Sequence, residues 1–190
     1  PENLRELSRK VKAFGADLGL AQDVDADRLA LVDEKGHPLG EEMTLVLAVA
    51  HILEKKRGPV VVNLSTSMII DDLAARHRVP VYRTKIGEIN VVERMLETGA
   101  VIGGEGNGGV IWPAVHPCRD SLTAAGLILE MLAEKDRPLS VIASQFQKYH
   151  LIKDKVACPA ELAFQALVEL RHRYGKEKLS TQDGLKIFLG

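Results

Sequence analysis

This 190-residue chain has few cysteines, few aromatic side chains, no excess of charge and no long apolar runs. Its two cysteines, Cys118 and Cys158, stand 40 positions apart with no Cys-x-x-Cys or Cys/His cluster, which argues against a disulfide framework and a zinc site. Lys and Arg total 25 against 26 Asp and Glu, a formal net charge of −1, so the basic excess of a phosphate-tracking nucleic-acid binder is missing. The longest apolar-leaning stretch, Met43 to Leu53, contains Thr44 and His51 and is shorter than the ~20 residues that span a bilayer. No basic, apolar leader opens the chain, so a cytoplasmic protein without membrane or nucleic-acid partners is expected. What is present, 46% hydrophobic and 27% charged residues, is the composition of a globular protein with a core. A start at Pro1 rather than Met points to processing or to a piece of a longer polypeptide.

Apolar periodicity predicts an alternation of helices and strands. Asn3 can cap a helix through Leu4, Leu7, Val11 and Phe14 that stops at Gly15. Ala16 to Ala21 and Leu29 to Val32 read as strands, and about 41–56 as a helix with Leu45, Val46, Val49, Ile52 and Leu53 on one side. The run Val60-Val61-Val62-Asn63-Leu64, a helix from Met68 to Arg78 capped by Ser65 or Thr66, and the strand Val81-Tyr82-Arg83 form a βαβ unit. A helix near 90–97 and a strand at 100–102 repeat the pattern. Beyond Val110-Ile111-Trp112 come a Pro-interrupted loop, helices from Ser121 and near Ser140, an extended piece from Leu151 to Ala157, a helix opened by Pro159 and ended by Gly175, and a last strand at 185–189. The fold class is therefore α/β, with a mixed, partly parallel sheet covered by helices.

Two loops carry candidate chemistry. Asp23-Val24-Asp25-Ala26-Asp27-Arg28 sets three carboxylates at alternate positions, an arrangement that repels itself unless a cation or solvent compensates. A hard, oxygen-preferring ion such as magnesium suits it, provided the segment curls, because an extended strand spaces alternate carboxylates by nearly ~7 Å. Arg28 beside a metal would favour a phosphate ligand. An EF-hand would need Gly where Arg28 stands and helical flanks. A phosphatase with Asp23 as nucleophile lacks its usual following Thr or Val and a convincing downstream acidic pair beyond Asp71-Asp72, and a solvated acidic turn is the plainest alternative.

The second loop, Gly104-Glu105-Gly106-Asn107-Gly108-Gly109, matches G-x-G-x-x-G but runs into the strand-like Val110-Ile111-Trp112 rather than a helix, so it is not a dinucleotide fingerprint. With no Ser at its centre it is not a nucleophile elbow. It can bring backbone close to a ligand, with Glu105 accepting from neighbouring hydroxyls and Asn107 both donating and accepting, as a sugar requires. A tight hairpin with both side chains merely exposed explains the glycines equally well.

In order and in content, these segments resemble the α-D-phosphohexomutases: the phosphoglucomutases, phosphomannomutases and phosphoglucosamine mutases. Asp23 to Arg28 is similar to the metal-binding loop closing the family's second domain, and Gly104 to Gly108 to the sugar-binding loop of its third. Arg83-Thr84-Lys85-Ile86-Gly87-Glu88 resembles the segment before the third domain's active-site helix, and Asp183-Gly184-Leu185-Lys186-Ile187 an early strand of the fourth. The likeness covers nearly the whole chain. It implies the end of domain two at 1–39, domain three at 40–156, and a linker with the start of domain four at 157–190.

The resemblance further implies an enzyme that interconverts hexose 1-phosphate and hexose 6-phosphate through a phosphoserine and a bisphosphate intermediate. Asp23, Asp25 and Asp27 would bind Mg²⁺; Arg28 and Lys85 would act in catalysis; Gly104, Glu105, Gly106, Asn107 and Glu88 would bind the phosphorylated hexose. The usual sugar loop has Ser where this chain has Asn107, which leaves the hexose open. No serine here lies in the family's Thr-x-Ser-His-Asn-Pro-like motif, and the distal-phosphate loop of domain four is absent, so the chain alone is expected to be inactive. A truncated metal- and sugar-binding module and a magnesium-dependent phosphatase are the alternatives, and surface left by partial domains makes a homo-oligomer an expectation.

Overall fold

A computed structural model describes residues 4–146, 149, 152, 154 and 156–188. The expected cap Asn3, His150 and the first residue of the extended piece, Leu151, lie outside them, as do Pro1, Leu189 and Gly190. The chain divides into two compact units, Pro1–His150 and Leu151–Gly190.

The first unit opens with helix α1 (Arg5–Phe14), which ends where Gly15 takes the left-handed conformation. Strands β1 (Leu18–Gln22) and β2 (Leu29–Asp33) follow as an antiparallel pair around the acidic loop, with Leu18 opposite Asp33 and Gln22 opposite Leu29. Next come α2 (Met43–Lys55), β3 (Val60–Asn63), α3 (Ile69–His77), β4 (Val81–Thr84) and α4 (Glu88–Thr98). Then β5 (Ile102–Glu105), β6 (Gly109–Trp112), β7 (His116–Arg119), α5 (Ser121–Lys135) and α6 (Leu139–Ser144) complete it.

The five-stranded sheet runs β4-β3-β5-β6-β7, with β3 parallel to both β4 and β5, and β5-β6 and β6-β7 antiparallel. It is the mixed, partly parallel sheet the sequence predicts. Alternation along each strand serves two cores. Val60, Val62, Ile102 and Val110 point into the larger one with α2, α3, α5 and α6, whereas Val61 and Ile111 meet Val91 and Met95 of α4 on the other face. Burial on both faces explains why β3 reads as an unbroken β-branched run.

Three expectations need correction. Helix α2 does not have one apolar side: every residue from Met43 to Leu53 is buried, because the helix is enclosed by the sheet, α3 and α5. Neither Ser65 nor Thr66 caps α3; both hydroxyls donate to Asn63 Oδ1 instead, at 3.0 and 2.8 Å, and Ile69 N–H turns to Ser67 Oγ. The Pro-interrupted loop contains β7, a strand admitted despite Pro117 because it lies at the sheet edge, where a missing donor costs least.

The second unit consists of α7 (Ala160–Arg173), entered from Pro159 and left at Tyr174, and an antiparallel pair, β8 (Lys178–Ser180) with β9 (Lys186–Phe188). No residue of α7 is buried. The sequence predicts the last strand but not β8, which is three residues long and follows the charged pair Lys176-Glu177.

Candidate functional site

The glycine loop joins β5 to β6 and meets the acidic loop through the backbone. Leu29 N–H donates to Gly108 O at 3.1 Å, and Leu29 O accepts from the buried Thr44 hydroxyl at 2.6 Å. Gly108 has φ of +94°, and a Cβ there would lie 2.6 Å from Leu29 O, so both conformation and contact require glycine. Gly104, at φ +153°, is closed in by Gly109 O in the same way. The loop is thus a tight turn that also makes a close approach, with its neighbour being the acidic loop's own strand.

Glu105 ends β5 and is 3% exposed. Its Oε1 accepts from Asn63 Nδ2 at 2.8 Å and from Gly87 N–H at 2.9 Å, and its Oε2 from Arg119 Nη1 at 2.5 Å. With three donors in place, about one of the roughly four acceptor positions of a carboxylate is left for a ligand. Gly106 N–H donates to Thr66 Oγ1 at 3.0 Å, and Asn107 Oδ1 accepts from Gly109 N–H at 3.2 Å, so Asn107 helps shape its own turn. Glu88, at the first turn of α4, accepts from Arg119 N–H at 2.5 Å. Lys85 is exposed just beyond β4.

In the acidic loop, Asp23 accepts from Arg28 Nε at 2.7 Å and from the N–H groups of Asp27 and Arg28, each at 3.2 Å. Burial pushes the Asp23 carboxyl up, but these bonds from Arg28 outweigh it and hold it below the usual carboxylate range. Asp27 goes the other way: burial, then the neighbouring Asp23, raise it despite Arg119 and Arg28. Arg28 itself is pushed up by its bond to Asp23. Ala26 takes a left-handed φ of +56°, and its carbonyl accepts from Ser121 N–H at 3.1 Å and Ser121 Oγ at 2.6 Å, fastening the loop to the start of α5. Asp25 is exposed.

The donor chemistry fits a hard cation: three carboxylates lie in five residues, and Asp27 Oδ1 is buried without a hydrogen-bond partner. Among the described residues, however, no three Asp, Glu, His or Cys side chains are drawn together as a cation site. Arginine supplies the countercharge instead.

Sequence reasoning passed over two residues here. Arg119, at the end of β7, pairs through Nη2 with Asp27 Oδ2 at 2.5 Å and through Nη1 with Glu105, so it touches both candidate loops. Arg83, read as part of a strand and of the family-like segment running to Glu88 but given no role, donates to Asn63 O, Thr66 O and Ser67 O at 3.2, 2.7 and 3.1 Å and pairs with Asp71, clamping the loop that carries Thr66. A charged residue inside a four-residue strand was the available signal for Arg83. For Arg119 there was none, because the segment around Pro117 did not read as a strand.

The mixed sheet with helices on both faces is an α/β domain of the phosphohexomutase kind. The family model described as phosphoglucomutase/phosphomannomutase, alpha/beta/alpha domain III, matches residues 40–149, and the chain belongs to this family. Among its relatives, a protein of Methanopyrus kandleri described as "Probable phosphoglucosamine mutase" is 41% identical over 100% of this chain and 42% of its own length. A "Phosphoglucomutase/phosphomannomutase" of Thermococcus kodakarensis is 36% identical over 98% of this chain and 41% of its own. The crystal structure of a phosphoglucomutase/phosphomannomutase family protein from Burkholderia thailandensis superposes with a TM-score of 0.79 at 25% identity, covering 98% of this chain and 41% of that one. The chain spans about two fifths of the length of these relatives. Among the described residues no helix is long and apolar enough to cross a membrane.

Proposed function

We propose that this chain is the central part of a magnesium-dependent phosphohexomutase, with residues 1–39 from its second domain, 40–156 its third and 157–190 leading into its fourth. The reaction would interconvert hexose 1-phosphate and hexose 6-phosphate, with the phosphoserine and the distal-phosphate grip contributed by sequence outside these 190 residues. The observation that carries this reading is the direct junction of the acidic and glycine loops through Leu29, Gly108 and Arg119. That junction supports a reading in which one loop handles phosphate and its neighbour handles hydroxyls.

In this reading Asp23, Asp25 and Asp27 hold Mg²⁺, which when bound supplies positive charge beside the transferring phosphoryl oxygens. Arg28, exposed on one side and paired with Asp23 on the other, stabilises charge on the same oxygens. Glu105 takes one hydroxyl on its remaining acceptor position, while Gly104, Gly106 and Asn107 form the backbone cradle around it. Lys85 reaches substrate from the rim, and Glu88 steadies the floor through the Arg119 backbone. One hydroxyl read by a rigid carboxylate suits a sugar that must bind in two orientations.

The test uses the longest native polypeptide carrying this sequence, assayed with glucosamine, glucose and mannose 1-phosphates and a bisphosphate activator. Conversion to 6-phosphates, lowered about 100-fold in Asp25→Ala, is the expected outcome. Phosphate release that depends on Asp23 instead would favour the phosphatase alternative. Magnesium and sugar-phosphate binding without turnover in that polypeptide would favour a binding module.

A further inference from the structure

Arg119 joins three carboxylates that come from three separated segments. Its Nη1 donates to Glu105 Oε2 and its Nη2 pairs with Asp27 Oδ2, both at 2.5 Å, so the two outer arms of one planar fork are committed to different loops. Its backbone N–H is fixed by Glu88 Oε1, also at 2.5 Å, which ties the strand that carries it to the first turn of α4. Nε lies 3.5 Å from Glu88 Oε2 and is buried without a hydrogen bond, so the fork is aimed by Glu105 and Asp27 rather than by Glu88. The two oxygens of Glu105 therefore have different supports. Asn63 of β3 and Gly87, just before α4, hold Oε1, and Arg119 of β7, which also pairs with Asp27, holds Oε2.

We infer that Arg119 is a positioning residue: one guanidinium sets the Glu105 carboxylate relative to that of Asp27, so that the glycine loop and the acidic loop are held at a fixed separation and respond to one another. Rigid planarity is what makes this work. A lysine ammonium is a point charge on a flexible stem and cannot present two donors in a fixed fork to carboxylates on opposite sides. The consequence for catalysis rests on the mutase reading above: a hydroxyl at Glu105 and a phosphate at the acidic loop would share one frame.

The first test needs no ligand and uses the 190-residue chain. Asp27→Asn is introduced, and the amide resonances of the glycine loop and Gly87 are followed by ¹⁵N NMR. Gly87 is the decisive probe, because it donates to Glu105 and is removed from the direct Leu29–Gly108 bond. A shift at Gly87 in the native background that is lost in Arg119→Met and reduced in Arg119→Lys is expected. No shift at Gly87, or the same shift in all three backgrounds, overturns the inference. The lysine variant, which keeps the charge, serves if the methionine variant does not fold.

The second test takes the longest native polypeptide. Arg119→Lys should lower kcat about 100-fold, the scale of a misplacement near 1 Å, with a smaller rise in KM. Wild-type kcat in Arg119→Lys overturns the positioning role while leaving the mutase reading intact. Absence of turnover in the wild type defeats the mutase reading, and the NMR result then decides the role of Arg119 by itself.

Discussion

Gly108 is the residue through which the glycine loop accepts the backbone N–H of Leu29. Its positive φ and the 2.6 Å separation of a built Cβ from Leu29 O act against any other residue. Gly108→Ala should destabilise the chain by about 1–3 kcal/mol in urea unfolding, since backbone strain and a broken Leu29–Gly108 bond add. Asp120 makes a second residue-scale case. It caps α5 by accepting from Leu122 and Thr123 N–H at 2.9 and 3.1 Å. Burial pushes its carboxyl up, but bonds from Thr123, His116 and these amides prevail and hold it below its ordinary value. A lowered folded pKa means that the stabilisation is complete above the unfolded value of about 3.9 and disappears as pH falls through the lower folded one. Asp120→Ala should cost about 0.5–2 kcal/mol at neutral pH, and Asp120→Asn should flatten the acid limb of a stability-against-pH curve. Glu105 could be read from the sequence because glycines isolate it. Arg119 could not, since its meaning depends on partners in three distant segments.

At the scale of elements, α2 buries more residues than any other described helix. It is apolar all round and lies between the sheet and two helices, with Leu45, Leu47, Ala48 and Val49 fully buried. Leu47→Ala should cost about 2–5 kcal/mol by chemical denaturation, because a cavity enclosed on every side cannot collapse. The periodicity of 41–56 foretold a helix but not its enclosure, since a continuous apolar run fixes the element and not the number of its neighbours. Strand β3 was the clearest element in the sequence, being β-branched and buried on both faces. Strand β7 was the least clear. Its Pro117 is tolerable only at an edge, and whether a strand lies at an edge is a property of the sheet rather than of four residues.

At the scale of the whole molecule, the order of motifs carried information that composition lacked. Neutral charge and scarce cysteine excluded classes without naming one, whereas the acidic loop, Arg83 to Glu88 and the glycine loop in succession named a family. The 190-residue chain should give no detectable conversion of glucose 1-phosphate to glucose 6-phosphate with activator present, while circular dichroism reports its folded α/β content. Turnover by this chain would overturn the proposal that a phosphoserine and a distal-phosphate grip from outside these 190 residues are needed.

The way the segments on either side of the proposed boundary at residues 39 and 40 are tied together has a practical consequence for recombining segments between relatives. Leu29 and Leu31 belong to the larger core, Glu34 accepts from Ser140 N–H at 3.0 Å, Ala26 is tied to Ser121, and Thr44 reaches back to Leu29. A chimera spliced there would have to match all these pairs at once, so most parental combinations would misfit. A crossover at the division between residues 150 and 151 keeps them together. In sequence libraries the β1–β2 hairpin should therefore be inherited with the five-stranded sheet and its helices, as though they were one exchangeable part.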